Sequence, residues 1–228
     1  MIFMTNPIKL SFKTEIFPLI VLAASVVFSI YFYLHFPAQV ATHWNIAGQP
    51  DNYSGKAFGA FFLPALLSAI YLLFMFIPYL DPKKERYADF APAFLKLRNA
   101  IIFCLFLVFL ASGFNNMGYN VPIDKTVPLA IGLLMVFLGN LMGKIKNNWF
   151  VGIRTPWTMS SENVWNKTHR VGGYAFIIFG LVIITVPYLG KTLGLIAFIG
   201  GAAIAVLGTI IYSYIAHKQE QKGQTGMV

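Results

Sequence analysis

Acidic side chains are scarce in this chain. Of its 228 residues only eight are Asp or Glu, and charged residues of both signs make up 11%, against about 25% in soluble domains. Hydrophobic residues reach 57%, so water is the wrong solvent for much of the polypeptide. Cysteine is nearly absent. Cys104 stands alone inside an apolar run, which excludes an internal disulfide, leaves the redox compartment open and suits a small apolar filler. The apolar runs are continuous, without the alternation over ~10 residues that a membrane β-barrel strand requires.

The eight carboxylates, Glu15, Asp51, Asp81, Glu85, Asp89, Asp124, Glu162 and Glu220, all fall in loops or at the ends of apolar runs. An ion-coupled transporter keeps ionisable groups at mid-membrane, where each costs at least a few kcal/mol and carries the coupling. That class is therefore disfavoured, while a passive pathway is left open. Asn115, Asn116 and Asn140 lie near run ends, where an amide can hydrogen-bond between helices. The four histidines, His35, His43, His169 and His217, have no H-E-x-x-H or Cys-His spacing, and G-x-S-x-G and Gly-rich phosphate loops are missing. No catalytic residue, metal or cofactor is assigned, and the chain reads as a non-enzyme.

What is present is an all-α polytopic membrane protein with six transmembrane helices. The apolar spans run from Ile16 to Leu34, Ala57 to Leu80, Ala100 to Met117, Val127 to Met142, Val171 to Tyr188 and Thr192 to Ala216. Each is about long enough to cross ~30 Å of hydrocarbon, the fourth being shortest. The first follows Lys9 and Lys13 but is too long for a signal-peptide core and has no clear cleavage site after it, so it reads as a retained helix. With both termini inside, fourteen of the seventeen basic residues lie on the inner side and only Lys56, Lys125 and Lys191 outside, which fixes an N-in/C-in orientation by the positive-inside rule. The net charge of +9 then reflects attraction to an anionic inner leaflet, and no direct nucleic-acid partner is needed.

Two loops are long enough to carry recognition: an outer one, residues 36–56, and an inner one, residues 143–170. They divide the chain into an N-terminal membrane module, 1–80, and a second module, 81–228. The connector "DPKKERYADFAPAFLKLRN" places Tyr87, Phe90, Phe94 and Leu97 at helical spacing, which predicts a short helix lying on the headgroups or a solvated connector. The tail "HKQEQKGQTGMV" reads as disordered. Gly139 and Gly143, and Ala197, Gly201 and Ala205, recur every four residues and mark faces where helices can approach closely.

The outer loop, "HFPAQVATHWNIAGQPDNYSGKAFG", is dense in turn signals: Pro37 ends the first helix, and Gly48 and Pro50-Asp51-Asn52 predict a compact bent segment that is neither strand nor helix. Trp44 and Tyr53 suit the headgroup layer. His43, Asn45, Gln49, Asp51 and Lys56 give this cap groups able to meet an outside ligand, or the cap simply anchors the ends of two spans. In the inner loop, "NNWFVGIRTPWTMSSENVWNKTHR", Gly152 and Thr155-Pro156 enforce a turn, with Arg154 beside lipid phosphates or helix C-termini. Ser160 suits a helix N-cap and Glu162 the first turn. Glu162, Trp165 and His169 then share one helical face, the first and last about 10 Å apart and out of direct reach. Gly172-Gly173 marks a possible bend into the fifth span. Trp149, Trp157 and Trp165 have the composition of an interfacial aromatic belt.

The order of these residues carries more than their types do. "HWNIAGQPDNYSGK" resembles the His-Trp-Asn, Gly-x-Pro-Asp-x-Tyr and Lys pattern of an N-terminal bacterial membrane module (DUF1648-like). "NNWFVGIRTPWTMSSENVWNKTHRVGG" resembles the SdpI-family signature, with its Gly-Ile-Arg-Thr-Pro-Trp-Thr and Val-Trp-x-x-Thr-His elements. The resemblance implies a multi-pass protein of the bacterial cell membrane that protects against a secreted peptide toxin. It also implies signalling by recruitment of a small cytoplasmic repressor. By carry-over, His43, Trp44, Asn45, Gly48, Pro50, Asp51, Tyr53 and Lys56 would face the toxin. Gly152, Arg154, Thr155, Pro156, Trp157, Glu162, Trp165 and His169 would serve protection or signalling inside. The alternative is a passive transporter or lipid-handling protein.

Overall fold

The computed structural model describes residues 7–45 and 47–225. In chain order it contains α1 (Phe12–His35), β1 (Gln39–Trp44), β2 (Pro50–Gly55), α2 (Lys56–Leu80), α3 (Tyr87–Asn116), α4 (Ile123–Met142), α5 (Pro156–Ser160), α6 (Glu162–Thr185), α7 (Lys191–Ala203) and α8 (Thr209–Thr225). Six helical stretches are long and apolar enough to cross a membrane, the last running through α7, a π-helical turn (Ile204–Gly208) and α8. The protein is a multi-pass, all-α membrane protein. Large apolar side chains such as Ile20, Val27, Leu73, Ile196 and Ile204 point outward, as a lipid-facing surface requires, because hydrocarbon solvates them as well as a core would.

Helices α1, α2 and α3 pack on one another, α6 packs on α4, α7 and α8, and the α3/α4 contact joins the two groups. The first group is cemented by aromatic rings. Phe32 stacks on Phe36 at 5.3 Å and meets Phe109 and Phe114 edge-on, and Gly113 leaves the space that the Phe32 ring fills. The second group uses bare backbone. A Cβ on Gly139 would lie 2.5 Å from the carbonyl oxygen of Gly173, and one on Gly132 would lie 2.6 Å from that of Gly180. Two glycine pairs seven residues apart on antiparallel helices thus bring α4 and α6 together main chain to main chain. Gly139→Ala tests this. Alanine gains up to ~1 kcal/mol of helix propensity, but the obstructing atom is a carbonyl that cannot rotate away, and overpacking costs ~1–3 kcal/mol. The expected result is a lowered melting temperature in detergent, whereas Gly143→Ala, whose Cβ meets nothing within 4 Å, leaves it unchanged or raised.

Several expectations are corrected. Residues 36–56 are not a strandless turn segment: β1 and β2 form an antiparallel hairpin in which Pro50 and Asn52, read as turn residues, pair with Trp44 and His43, and of the turn signals only Gly48 lies between the strands. Tyr87, Phe90, Phe94 and Leu97 do not lie on headgroups. They begin α3, kinked at Phe90 two residues before Pro92, and are buried in the core at the inner end together with Trp165. The tail is helical through Thr225, its last three residues lying outside the described ones. Ser161, not Ser160, caps α6, and α6 runs straight on through Gly172-Gly173, whose second glycine serves packing against α4.

Candidate functional site: two polar caps at opposite ends of the bundle

The outer cap is the β1/β2 hairpin. It is tied to the bundle by Asn116, the last residue of α3. The Ala41 N–H donates to Asn116 Oδ1 (2.7 Å) and Asn116 Nδ2 donates to Ala41 O (3.0 Å), so one carboxamide takes the place of a neighbouring strand. At the tip, Asn45 Oδ1 accepts from the N–H groups of Ala47 and Gln49. Gly48, at φ +72°, rests against Asp124 at the start of α4, a conformation and a clearance that favour glycine. His43 Nδ1 donates to Asp51 Oδ1 (2.5 Å) across the hairpin. Pro50 opens β2, where a missing N–H is tolerated. Tyr53 is exposed, and the Lys56 ammonium lies over the Tyr33 ring at 4.7 Å.

Beneath the hairpin, between the start of α2 and the end of α3, is a cavity of about 490 Å³ lined by His43, Trp44, Asn52, Phe58, Phe62 and Asn116 among others. The Trp44 indole N–H is shielded from solvent and has no acceptor among the described residues, an unfilled donor at a largely apolar wall. Asn116→Ala is expected to leave the Ala41 N–H unpaired, at ~1–3 kcal/mol. Hydrogen exchange across residues 39–55 should accelerate roughly tenfold or more, while exchange in α4 and α6 stays as in the parent.

The inner cap is a hydrogen-bonded knot around two buried side chains. Asp81, just past α2, accepts from the Lys83 N–H (2.7 Å), the Tyr87 hydroxyl (2.8 Å) and the Trp149 N–H (2.9 Å). Asn148 Oδ1 accepts from the N–H groups of Phe150 and Val151, and its Nδ2 donates to the carbonyls of Lys146 and Val151. Asn147 accepts from Lys83 Nζ and donates to Thr158 O. These residues hold the loop after α4 against α2 and α3.

The signature residues complete the cap. Thr155 and Thr158 close a reciprocal capping box on α5, with Pro156 at its first turn. Thr155 Oγ1 also donates to Ser213 Oγ (3.0 Å) on α8. Trp157 leans on Tyr214 of α8, with ring centroids 5.1 Å apart. Arg154, exposed, donates to Trp149 O. Trp165 does not belong to a belt. It is fully buried, donates from Nε1 to Ile145 O (2.8 Å) and stacks on His169 at 4.0 Å. His169 Nε2 accepts from the Ile153 N–H (3.0 Å) and Nδ1 donates to Trp165 O (2.9 Å). Both ring nitrogens are spent on backbone, which assigns the neutral Nδ1–H tautomer and a structural duty, not a base. Gly152, at φ +115°, brings its backbone onto this ring. Glu162 does not meet His169. It forms a two-pronged pair with Arg86 (2.6 and 2.7 Å) at the surface, worth at most ~1 kcal/mol.

Asp81, Tyr87, Asn148 and Asn116 were not picked out by motif reading. Asn148 lay within the quoted stretch and Asn116 at a span end, but Asn116 and Asp81 bond to backbone 75 and 68 residues away, which leaves no local spacing to detect. Tyr87 touches the inner cap and Asn116 the outer, so α3 separates them by about 44 Å at ~1.5 Å per residue.

Residues 144–213, the inner cap and the last two spans, match the SdpI/YfhL protein family. Residues 20–67, the outer hairpin and its flanking helices, match DUF1648, a domain of unknown function. Over 207 residues the chain is 25% identical to "Immunity protein SdpI" of Bacillus subtilis (strain 168), covering 91% of this chain and 97% of that protein. No solved structure matches. Within the matched stretch, the described contacts explain part of the motif order: Gly152, Trp165 and His169 are mutual packing partners across one loop and one helix, while Thr155 caps α5 and bonds to α8.

Proposed function

We propose that the protein is a membrane immunity protein of the bacterial cytoplasmic membrane that protects against a secreted toxic peptide. The observation that carries this reading is the similarity to the Bacillus subtilis immunity protein along nearly the whole of both chains. The two-ended architecture supports it, since one cap can meet a ligand outside while the other reports inside. The chain divides in this reading into a receiving module, residues 1–80, and a relaying module, residues 81–228.

The outer cap offers a peptide three things. The cavity of about 490 Å³ has room for an apolar side chain, the Trp44 N–H can donate to a peptide carbonyl, and β2 has a free, exposed edge to which an extended strand can add. His43 and Asp51, with Tyr53 and Lys56, set charge and contact area at the mouth. Relay to a small cytoplasmic repressor requires the toxin to favour one of two arrangements of the bundle, because a ligand with equal affinity for both shifts nothing. Arg154, Pro156, Trp157 and Glu162 are the exposed or half-exposed inner residues available to such a partner.

The test is survival. Toxin-sensitive cells expressing the chain should survive exposure to the cognate secreted peptide, and Trp44→Ala with Asp51→Ala should abolish survival while membrane insertion is retained. Unchanged killing by the peptide in cells with confirmed insertion refutes immunity. Protection that survives the outer substitutions refutes the outer site alone.

A further inference from the structure

A groove of about 400 Å³ runs along the lipid-facing side of α3, with α1 as one wall and α4 as the other. Phe103 and Leu107 form part of its floor, Phe17 of α1 lies on one side, 5.8 Å from the Phe103 ring, and Leu133 and Phe137 of α4 close the other. From Lys96 at one end to Leu107 at the other, eleven residues of helix span about 16 Å at ~1.5 Å per residue. That is close to one leaflet of a ~30 Å hydrocarbon layer. The groove therefore has the depth of a single acyl chain, and its walls have the matching chemistry.

Its inner mouth is polar and cationic. Lys96 and Asn99 line it, and both lie in the first half of α3, toward the inner end. Lys13 joins them by register. Arg98 of α3 reaches Thr14 and Glu15 of α1, so the two helices run side by side with an offset near 83 residues, and Lys13 falls level with Lys96. Lys13 is also one helical turn before Phe17 and shares its face. Lys13 and Lys96 are exposed, and among the described residues neither has a carboxylate partner. Arg98 cannot supply this charge, since its guanidinium is spent on Glu15.

We propose that this groove is a binding site for an anionic phospholipid of the inner leaflet, with one acyl chain along α3 and the phosphate-bearing headgroup held between Lys13 and Lys96. Apolar walls alone accept any lipid tail. Two cations at headgroup depth select the anionic class, each favouring it about fivefold on the ~1 kcal/mol scale of juxtamembrane lysines. The site is independent of the toxin reading and is tested without it.

The experiment is native mass spectrometry of the full chain from detergent micelles holding equal amounts of dioleoyl phosphatidylglycerol and dioleoyl phosphatidylcholine. The parent should retain phosphatidylglycerol preferentially. Lys13→Gln with Lys96→Gln should erase most of that preference, about fivefold for each lysine, while Lys218→Gln with Lys222→Gln, equal in charge and carried by α8, which packs on α5 and α6, should keep it. Equal retention of the two lipids by the parent overturns the proposal, as does an equal loss in both double variants, which would mark diffuse attraction. A mild excess of glycerol 3-phosphate should not displace the lipid; displacement would show headgroup binding without the groove and overturn the acyl-chain assignment.

Discussion

Gly152→Ala is expected to lower the melting temperature in detergent by about 4–24 °C. Two costs combine. At φ +115° any residue with a Cβ is strained, by ~1–3 kcal/mol. The new methyl group would also fall well inside contact of His169 Nε2 and 3.2 Å from the Trp165 ring. Neither ring can retreat, because Trp165 is held by Ile145 O and His169 by two backbone groups, so overpacking adds ~1–3 kcal/mol. For a chain of this size each kcal/mol moves the midpoint by ~2–4 °C. Gly118→Ala supplies the control, with φ +88° but nothing within 4 Å of the added carbon. It carries the strain without the clash. Equal losses in the two variants, read by tryptophan fluorescence on heating, would disprove the claim that Gly152 exists to seat the Trp165–His169 stack.

That stack also shows how far the residue order alone reaches. Hydropathy located all six spans, because a membrane imposes a single long-wavelength requirement that no tertiary contact overrides. The two polar caps were legible as places where hydrocarbon stops. Their internal structure was less so. Tyr87, Phe90, Phe94 and Leu97 form an apolar stripe that fits headgroups and a protein core equally well, since both reward the same spacing; only the facing residues Phe74 and Trp165 decide. Trp165 was grouped with Trp149 and Trp157 by type, although it alone is buried. The hairpin was hidden because Pro50, Asp51 and Asn52 read as a turn but open β2, where the first position of a strand tolerates a missing N–H. Pairing there depends on Asn116, 75 residues from Ala41. The glycines of α4 and α6 were partly readable, Gly139 by spacing and its partner Gly173 only from the opposing helix.

The second large effect concerns Arg98, which topology counts only among the inner basic residues, and Glu15, which it places only at the end of a span. In the fold they form one buried pair that ties α1 to α3. Arg98 is 1% exposed, and its Nη1 and Nη2 donate to the two Glu15 oxygens (2.9 and 3.1 Å), with further bonds to Thr14 O and Asn99 Oδ1. Tyr71 of α2 donates its hydroxyl to Glu15 Oε2 (2.9 Å) and presents its ring to the guanidinium at 5.1 Å, so three helices meet at this pair. Arg98→Met preserves volume but strands the carboxylate, at ~3–5 kcal/mol, and should lower the melting temperature by about 6–20 °C. Adding Glu15→Gln removes the stranded charge while leaving an oxygen for Tyr71, so the double variant is expected to recover more than half of the loss. Recovery is the decisive measurement, since contacting residues in one network couple and unrelated ones add. A double variant that melts at the sum of the two single losses would mean that packing around Arg98, not its charge partner, holds these helices together. The pair would then be a consequence of the α1/α3 contact and not one of its causes.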